Sequence, residues 1–526
     1  MPGDIPDHWP THWPTHWPSH WHHETDVAVI GGGGSGLAAA LEAASQGASV
    51  VLLEKQAHLG GTTGIAVGSF TASGTSLQRE AGVEDNPGWH QEDLAKFAPQ
   101  HEAKNNAPLR AFLTRQLAEN FEWLRGLGLD FSGPNPEPPN RVARMHNVLP
   151  NAKMYVAVCH RRALDQGVQI LANQQVTRLF REPDGPIVGL EARSPAGKII
   201  HVKVRRGIVL AAGDYSSGDA VKKEFASPEI AAMEGINPAA TGDGHRLARE
   251  AGAALINMDL IYGPEIRFVP PPREPFAQLL PADPESAIKA IAEWDLAGEE
   301  KVREKVDGLL VTWQHPENSL YEHGAVLVNR NGHRFADETA APQLAIPRQI
   351  EKTAYIVFDR TLAETFSSWP NFVSTAPKIG YAYVEDYQRL RPDLYHQAST
   401  VAELAEFIGV DSATLDATIH DYNQAVEGMD LDPFGRESFR GPIENPPFHA
   451  LGPVKSWIVT SEGGVRINED CAALDEAGKV IPGLYAAGSN GMGGLVLWSH
   501  GLHIGWAITS GRIAGRNAAC QSPERK

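Results

Sequence analysis

The sequence predicts an α/β protein with a parallel sheet drawn from both ends of a chain that holds two or more domains. A buried strand, a helix and a second strand follow one another between residues 26 and 54, which is the order of a βαβ unit. Two more apolar strands that end in small residues occur at 205–218 and 480–494. The chain has 526 residues, which is too long for one ordinary hydrophobic core.

The charge of the chain limits its partners. It has 64 acidic and 46 basic side chains and a formal net charge of −18, whereas nucleic acids and anionic membranes bind basic surfaces. No apolar run has the length of a membrane span, and no segment has the pattern of a signal peptide. We therefore expect no nucleic-acid partner, no membrane span and a cytoplasmic location. The oligomeric state is left open.

The three cysteines exclude several kinds of redox centre. Cys159, Cys471 and Cys520 have no CxxC spacing, so neither a disulfide framework, a zinc site, an iron–sulfur cluster nor a CxxCH haem attachment is expected. Redox chemistry in this chain therefore needs an organic cofactor, and no metal site is expected.

Residues 1–23 repeat a unit of His, Trp and Pro. Proline at this frequency opposes both helix and strand pairing, which predicts an irregular tail. A metal-binding arm is the alternative interpretation, since the segment carries His8, His12, His16, His20, His22 and His23.

The βαβ unit carries the pattern of a dinucleotide site. Gly31, Gly33 and Gly36 form GxGxxG between the first strand and the helix, where glycine permits a tight turn and close approach of a pyrophosphate to the helix amides. Glu54 ends the second strand, where its carboxylate can accept hydrogen bonds from a ribose. Together they predict a Rossmann-like domain.

Three later segments favour FAD over NAD. They are HLGGTTG at 58–64, RRGIVLAAGDYSSG at 205–218 and VIPGLYAAGSNGMGG at 480–494, and all three offer small residues on which a cofactor can lie. A nicotinamide cofactor that must leave is usually held by one compact domain, whereas a permanently bound flavin can be wrapped by both ends of a chain. Segments this far apart therefore indicate FAD.

Residues 24–520 resemble the FAD-dependent family that contains soluble fumarate reductases, urocanate reductases and 3-ketosteroid dehydrogenases. The glycine fingerprint, GGTT, AAGD, ATGDGHRLAREAGA and GLYAAG…GRIAG occur in the family's order. The resemblance implies FAD held without a covalent bond by a Rossmann-like domain in two parts, 24–255 and 446–526. An α+β capping domain, 256–445, would be inserted between them.

The resemblance also implies roles for single residues. Glu54 would meet the adenosine ribose, Val176 the adenine, Thr62 and Thr63 the pyrophosphate and flavin, and the helix after His503 would direct its amides at the flavin ring. Ser489 departs from the family, in which many members have an acid there. The expected cofactor-binding residues are Gly31, Gly33, Gly34, Ser35, Gly36, Glu54, Lys55, Gly61, Thr62, Thr63, Val176, Ala212, Gly213, Asp243, Gly488, His503 and Ile504.

The arginines that clamp two carboxylates in fumarate reductases have no counterparts here. Tyr321 and Trp498 stand where the family has clamping arginines, Pro342 stands where it has the acid, and Thr460 replaces a histidine. Without bidentate partners a dicarboxylate would be held poorly, so fumarate is not the expected substrate.

The turn SHGLHIG instead resembles the one in which ketosteroid dehydrogenases hold a ketone oxygen. We therefore expect oxidation or reduction of a carbon–carbon bond next to the carbonyl of an apolar or cyclic ketone. His500 or Tyr321 would transfer the proton and His315 would assist. The Gly501 amide would hold the oxygen, and Trp498 would form a wall.

Two other functions stay open. The chain could reduce an unsaturated monocarboxylate, with Arg348 binding the acid and an external protein supplying electrons, or it could be a non-catalytic flavin-binding electron-transfer subunit. For either enzymatic function, the expected partners are a small-molecule substrate and an external electron acceptor or donor. A charged helix is also predicted at 285–310.

Overall fold

Two β-sheets organise the computed structural model, which describes residues 17–149, 151–182, 185–270, 285–286, 288–289, 315–376 and 380–521. The strands are β1 (His23–Ile30), β2 (Val50–Leu53), β3 (Ser69–Thr71), β4 (Phe131–Asn135), β5 (Met145–Val148), β6 (Gln169–Leu171), β7 (Gln175–Arg181), β8 (Ile187–Arg193), β9 (Ile199–Leu210), β10 (Glu234–Gly235), β11 (Leu255–Ile256), β12 (Ile261–Tyr262), β13 (Glu265–Phe268), β14 (Val326–Val328), β15 (Ala354–Asp359), β16 (Ser374–Ala376), β17 (Gly380–Ala382), β18 (Tyr395–Ala398), β19 (Phe448–Ile458), β20 (Thr460–Ser461), β21 (Gly464–Val465), β22 (Ala472–Leu474) and β23 (Val480–Ala486).

Helices flank both sheets. They are α1 (Gly34–Ser45), α2 (Ser76–Glu80), α3 (Pro87–Leu94), α4 (Ala107–Gly126), α5 (Lys153–Asp165), α6 (Asp219–Phe225), α7 (Pro228–Ala231), α8 (Asp243–Glu250), α9 (Ser319–Glu322), α10 (Arg360–Thr365), α11 (Val384–Leu390), α12 (Val401–Ile408), α13 (Ser412–Val426) and α14 (Leu502–Cys520). Short 3₁₀ helices lie at Thr63–Ile65, Pro99–Lys104, Pro342–Leu344, Ile346–Arg348, Ile350–Lys352 and Gly488–Gly491.

The first sheet has the order β22, β23, β9, β1, β2, β6, with β8 antiparallel to β9 and β7 antiparallel to β8. The pairs β1–β2, β1–β9, β9–β23 and β2–β6 are parallel. Because parallel strands end at one edge, the segments after β1, β2, β9 and β23 meet there, which is where open α/β sheets bind ligands. The predicted α/β, Rossmann-like fold drawn from both chain ends is confirmed.

The C-terminal helix α14 packs closely on α1. A Cβ on Gly511 would lie 2.3 Å from the carbonyl oxygen of Ser35, and one on Gly515 would lie 2.2 Å from that of Ala39. Only glycine permits this approach of the two backbones. The last segment of the chain thus becomes part of the same wall as the first helix.

The second sheet is mostly antiparallel and is centred on β19. This strand pairs with β13, β15 and β18 antiparallel and with β10 parallel, and β14 extends the sheet beyond β15. Since β19 follows residue 446, the second sheet extends past the predicted boundary at that position. The division into 1–23, 24–255, 256–445 and 446–526 stays a proposal.

The chain crosses between the two sheets as two short antiparallel ladders. Leu255 and Ile256 pair with Val465 and Gly464, and β12 pairs with β20 so that Tyr262 lies opposite Thr460. These ladders bring residues about 200 positions apart in sequence side by side at the junction of the sheets.

Some predictions fall at the edge of what the structure describes. His8, His12 and His16 lie outside the described residues, as does most of the helix predicted at 285–310. In the described part of the tail, Trp17 and Trp21 pack on Phe180. The described residues contain no cluster of acidic, His and Cys side chains able to hold a metal ion and no helix long and apolar enough to cross a bilayer.

Candidate active site

A cavity of about 540 Å³ lies between the edge of the first sheet and the crossing ladders. One end, the glycine end, is formed by Gly31–Gly34, Glu54, Val176 and Asp243. The other, the histidine end, is formed by Tyr262, Arg267, Thr460, His500 and His503.

The glycine turn is shaped for close contact with a ligand. Gly31 has φ +107°, and a Cβ on it would lie 2.3 Å from the carbonyl oxygen of Ala211. A Cβ on Gly36 would lie 1.9 Å from the carbonyl oxygen of Gly31. A Cβ on Gly33 would meet no atom closer than 3.8 Å, where it would be in ordinary contact with Gly60 and Gly61, so a methyl group fits here without a clash. The N-cap residue of α1 is Gly33, which has no side chain to cap the helix, and the first turn of α1 carries no acid, so an anion can approach this N-terminus.

Glu54 borders the turn and is held in place by backbone amides. Its Oε2 accepts from the amide of Gly32 at 2.7 Å, and its Oε1 accepts from the amide of Gln56 at 2.8 Å. Each carboxylate oxygen can accept a further hydrogen bond. The residue is therefore fixed where a ribose hydroxyl could donate to it.

Lys55 and Asp243 form an ion pair beside Glu54. The Lys55 Nζ lies 2.6 Å from Asp243 Oδ2 and donates to Thr241, and Gln175 donates to Asp243 Oδ1. Burial alone would raise the pKa of the Asp243 carboxyl, but Lys55 and the hydrogen bonds hold it below its ordinary value. Asp243 is thus a fixed anion at the start of α8.

Thr62 and Thr63 close the turn from the other side. Thr63 accepts from the amide of Gly34 at 3.2 Å, and Asn237 donates to Thr62 at 2.9 Å. The segment 236–240, which lines the cavity, is thereby fastened across the loop that carries both threonines.

Most of the residues predicted to bind the cofactor meet in this one cavity. Those that line it are Gly31, Gly33, Gly34, Ser35, Glu54, Lys55, Gly61, Thr62, Thr63, Val176, Ala212, Gly213, Asp243, His503 and Ile504. Gly36 and Gly488 do not line it. Gly36 packs under the turn, and the amide of Gly488 donates to Ser510 at 2.8 Å.

The residues present fit FAD. The glycine turn and the start of α1, whose first turn carries no acid, suit a pyrophosphate, and Glu54 suits the adenosine ribose. The cavity continues to the start of α14, where Gly501 has φ +83° and no side chain caps the helix. Ser489 lines the cavity, at the place where the family often has an acid.

At the histidine end, the crossing ladder sets an aromatic ring on the wall. Tyr262 stacks on His503, with ring centroids 6.3 Å apart, and contacts Trp498 at 5.2 Å. Burial raises the pKa of the Tyr262 hydroxyl well above its ordinary value. Tyr262 is therefore an uncharged hydrogen-bonding group.

His500 is paired with a carboxylate from a distant loop. Its Nδ1 and its backbone amide each lie 2.7 Å from Glu137 Oε1. The hydrogen bond to Glu137 raises the pKa of the imidazole above its ordinary value. The His500 side chain is 67% exposed whereas that of Glu137 is 8% exposed, so the imidazole is the accessible member of the pair.

Arg267 is the arginine of the second sheet that lines the cavity, and it too has a carboxylate partner. Its guanidinium lies 2.8 Å from Glu265 Oε2. Burial alone would raise the pKa of Glu265, but Arg267, His315 and His500 lower it. Both cations of the histidine end, Arg267 and protonated His500, are thus balanced by the protein's own acids.

His503 has a buried partner behind the wall. Its Nε2 lies 3.1 Å from Glu462 Oε1, and the Glu462 side chain is fully buried. The amide of Leu497 also donates to this carboxylate. Glu462 thereby ties the start of α14 to the ladder that carries Thr460.

Three expected site residues lie elsewhere. Tyr321 is 1% exposed in the core of the second sheet and does not line the cavity. The His315 ring faces the carbonyl of Pro316 at 3.0 Å and does not line the cavity, although its charge lowers the pKa of Glu265. Trp498 stands behind Tyr262, where it forms a second layer rather than the wall itself.

These placements correct the sequence interpretation. A hydroxyl enclosed in the core of the second sheet cannot exchange a proton with a substrate, which removes Tyr321 as a catalytic candidate. Pro342 is buried at the start of a short 3₁₀ helix, and Arg348 is exposed beside Glu229, outside the cavity lining. Arg348 therefore does not provide the acid-binding site considered for it.

Sequence reasoning missed Glu137, Tyr262 and Arg267. Glu137 lies in a proline-rich loop that reads as a featureless connection, and the other two lie on strands of two and four residues. The usable signal was the alternation of Glu265 and Arg267 in a short segment just before a run of prolines.

Comparison with known proteins agrees with this geometry. The protein-family model for the FAD binding domain matches residues 26–268 and 295–498. A probable fumarate reductase of Shewanella frigidimarina is 28% identical over 94% of this chain and 75% of its own. The open conformation of a flavocytochrome c3 fumarate reductase superposes with a TM-score of 0.74 at 27% identity, over 95% of this chain and 78% of that one.

A second solved structure shares the fold at lower identity. The 3-ketosteroid-Δ4-(5α)-dehydrogenase of Rhodococcus jostii RHA1 has a TM-score of 0.59 at 23% identity, over 96% of this chain and 98% of that one. The family match, which spans most of the chain, agrees with the cavity and its glycine turn. The chain therefore belongs to the FAD binding domain family, and it is an FAD-dependent oxidoreductase that acts on carbon–carbon bonds.

Proposed function

We propose that the protein interconverts an uncharged, apolar or cyclic ketone and its α,β-unsaturated counterpart. The observation that carries this proposal is the charge balance of the histidine end of the cavity. Arg267 is paired with Glu265 and His500 with Glu137, so the two cations there are already neutralised.

The charge balance separates substrate classes. A dicarboxylate would bring two charges that neither cation is free to neutralise, and desolvating an unpaired charge is costly. A neutral carbonyl brings no charge and needs only hydrogen-bond donors. The site therefore suits a ketone better than a dicarboxylate.

The walls of the cavity support the same substrate class. Apolar side chains line it beside the polar groups, among them Ala66, Val67 and Val459. A mainly apolar cavity with a few converging donors is the usual form of a site for small uncharged ligands. The Gly501 amide, at the start of α14, and the Tyr262 hydroxyl are the donors we assign to the carbonyl oxygen.

We assign proton transfer to His500. Bound FAD supplies a hydride acceptor or donor at its ring, so a side chain must handle the proton that accompanies the hydride. Protonated His500 would give its proton to the α-carbon in reduction, and neutral His500 would take it in dehydrogenation. Electrons would come from or go to an external partner, and the cytoplasmic location is part of this proposal.

An anaerobic titration tests the substrate class. The visible flavin absorbance of the purified protein would be followed while saturated cyclic ketones are added to the oxidised form. Enones, unsaturated monocarboxylates and fumarate would then be added in turn to the reduced form. We expect bleaching by a saturated ketone or reoxidation by an enone.

Reduction of an unsaturated monocarboxylate is the second candidate. The Arg267 guanidinium lines the cavity, and a carboxylate could displace Glu265 from it. In the same titration, reoxidation by carboxylates alone would contradict the ketone proposal and make Arg267 the residue to substitute.

A further inference from the structure

Glu137 makes an unusually complete set of hydrogen bonds for a loop carboxylate. Its Oε1 accepts from the backbone amide and the ring of His500, both at 2.7 Å. Its Oε2 accepts from the Ser499 hydroxyl at 2.9 Å and from the Asn140 amide at 3.1 Å. One carboxylate thus holds two consecutive residues of the turn before α14.

These contacts decide which ring nitrogen of His500 carries the fixed proton. An ionised carboxylate has no hydrogen to give, so Nδ1 must be the donor of the bond to Glu137. The nitrogen that gains and loses a proton is then Nε2. Because one Glu137 oxygen accepts from both the backbone and the ring, the orientation of the ring is fixed as well.

The loop that carries Glu137 is itself anchored. Arg144 is fully buried between Asp85 and Asp93, at 2.8 and 2.9 Å, and it donates to the Asn140 side chain at 2.9 Å. Asn140 in turn donates to Glu137. Buried ion pairs of this kind lose much free energy when one partner is removed, so the carboxylate stands on a rigid base.

We propose that Glu137 is a positioning residue that holds His500 with Nδ1 protonated and its imidazolium stabilised, so that Nε2 is the nitrogen that transfers the proton. The proposal rests on the assignment of proton transfer to His500 made above. A neighbouring carboxylate that orients an imidazole and stabilises its charged form is an established way to tune a general acid.

The other charged groups around His500 come from the second sheet. Glu265 adds to the rise of the His500 pKa and Arg267 opposes it, while His315 acts on Glu265. Since Glu265 and Arg267 neutralise one another, Glu137 dominates. Without its charge the pKa of His500 falls, and the imidazolium is lost at a lower pH.

The variant Glu137→Gln tests the proposal, because glutamine keeps an oxygen that can accept from His500 but removes the charge. Reduction needs protonated His500, so its rate falls as pH rises through the His500 pKa. In the variant this alkaline limb should move down by about one pH unit. Dehydrogenation needs neutral His500, so its acid limb should move the same way.

At a fixed neutral pH the two directions therefore respond oppositely, with slower reduction and faster dehydrogenation. A merely structural defect would slow both. Glu92→Gln is the matched control, since it removes an exposed acid that pairs with Arg141 at 2.6 Å, and both limbs should stay in place. FAD absorbance and the melting temperature would be recorded for each variant.

His500→Gln separates this inference from the proposed function. If His500→Gln abolishes the alkaline limb of the pH–rate profile and Glu137→Gln shifts that limb, the roles of His500 and Glu137 are both supported. If His500→Gln abolishes the limb and Glu137→Gln leaves it in place, the role of Glu137 is overturned and that of His500 is kept. If the limb survives in His500→Gln, proton transfer by His500 is wrong and the inference falls with it.

A measurement on the unmodified protein covers the case in which Glu137→Gln does not fold. With ¹⁵N-labelled histidine, the signals missing from His500→Gln identify the His500 ring. Across the titration Nδ1 should keep the chemical shift of a protonated nitrogen while Nε2 changes. A neutral ring protonated at Nε2 would overturn the proposal.

Discussion

The two ends of the cavity differ in how the chain builds them. At the glycine end, Gly31, Gly33 and Glu54 come from one βαβ unit, and the backbone itself leaves little choice of residue. At the histidine end, Glu137, Tyr262 and His500 come from a loop, a crossing strand and the last turn before α14. The first end is local in sequence and the second is assembled by tertiary structure.

This difference means that the two ends should fail differently when altered. A change in the glycine turn acts on the backbone and on the fold around the cofactor, because α1 and β1 touch there. A change at the histidine end alters charges and hydrogen bonds on an intact scaffold. The glycine end should therefore show the largest effects on stability, and the histidine end should show effects on substrate.

The largest effect is expected for Gly36→Ala. The new Cβ would lie 1.9 Å from the carbonyl oxygen of Gly31, so β1 and α1 must move apart, at a cost of about 3 kcal/mol in the free energy of unfolding. Urea unfolding of the FAD-stripped proteins measures this cost.

Gly33→Ala is the matched change for Gly36→Ala. Its Cβ meets nothing closer than 3.8 Å, so the free energy of unfolding of the stripped protein should change by less than about 1 kcal/mol. FAD binding should nevertheless weaken, because the methyl group hinders the close approach of a pyrophosphate to the glycine turn. Equal destabilisation by both substitutions would contradict the difference in space for a Cβ at the two glycines.

The sequence predicted the glycine end better than the histidine end, because the residues of the glycine end lie close together in sequence. Gly31, Gly33 and Glu54 could be assigned because fixed spacings and small residues reflect backbone constraints that hold in any fold of this kind. Tyr321 could not be placed, since it lies in the four-residue helix α9, which is too short for helical periodicity to show which side faces the core. The substrate end has no comparable constraint, because its residues meet only after the crossing ladders form.

An intermediate effect is expected for a pair of substitutions at Lys55 and Arg267, one cation from each end of the cavity. Lys55→Met leaves Asp243 without its ion-pair partner at the glycine end. Arg267→Gln leaves Glu265 without its ion-pair partner at the histidine end. Loss of such a partly buried bond costs about 1.4 kcal/mol, which is about tenfold in a binding constant.

One substitution should affect only the binding of the cofactor, and the other should affect only the binding of the substrate. Lys55→Met should raise the Kd for FAD about tenfold with KM unchanged, and Arg267→Gln should raise KM about tenfold with the FAD Kd unchanged. Fluorescence titration of the apoproteins and steady-state kinetics at saturating FAD measure the two constants. If Arg267→Gln weakened FAD as much as Lys55→Met does, the ends of the cavity would not be separate sites.

The smallest effect is expected for Tyr321→Phe, and its sign is informative. The Tyr321 hydroxyl is buried and has no hydrogen-bond partner among the described residues, and burial raises its pKa far above the ordinary value. Removing a buried polar group that bonds to nothing is neutral or stabilising, here by up to about 1 kcal/mol. We therefore expect unchanged kcat and KM and an equal or higher free energy of unfolding. A drop in kcat with no change in stability would place this hydroxyl at the reaction after all, and would mean that the second sheet moves by enough to bring its core to the cavity.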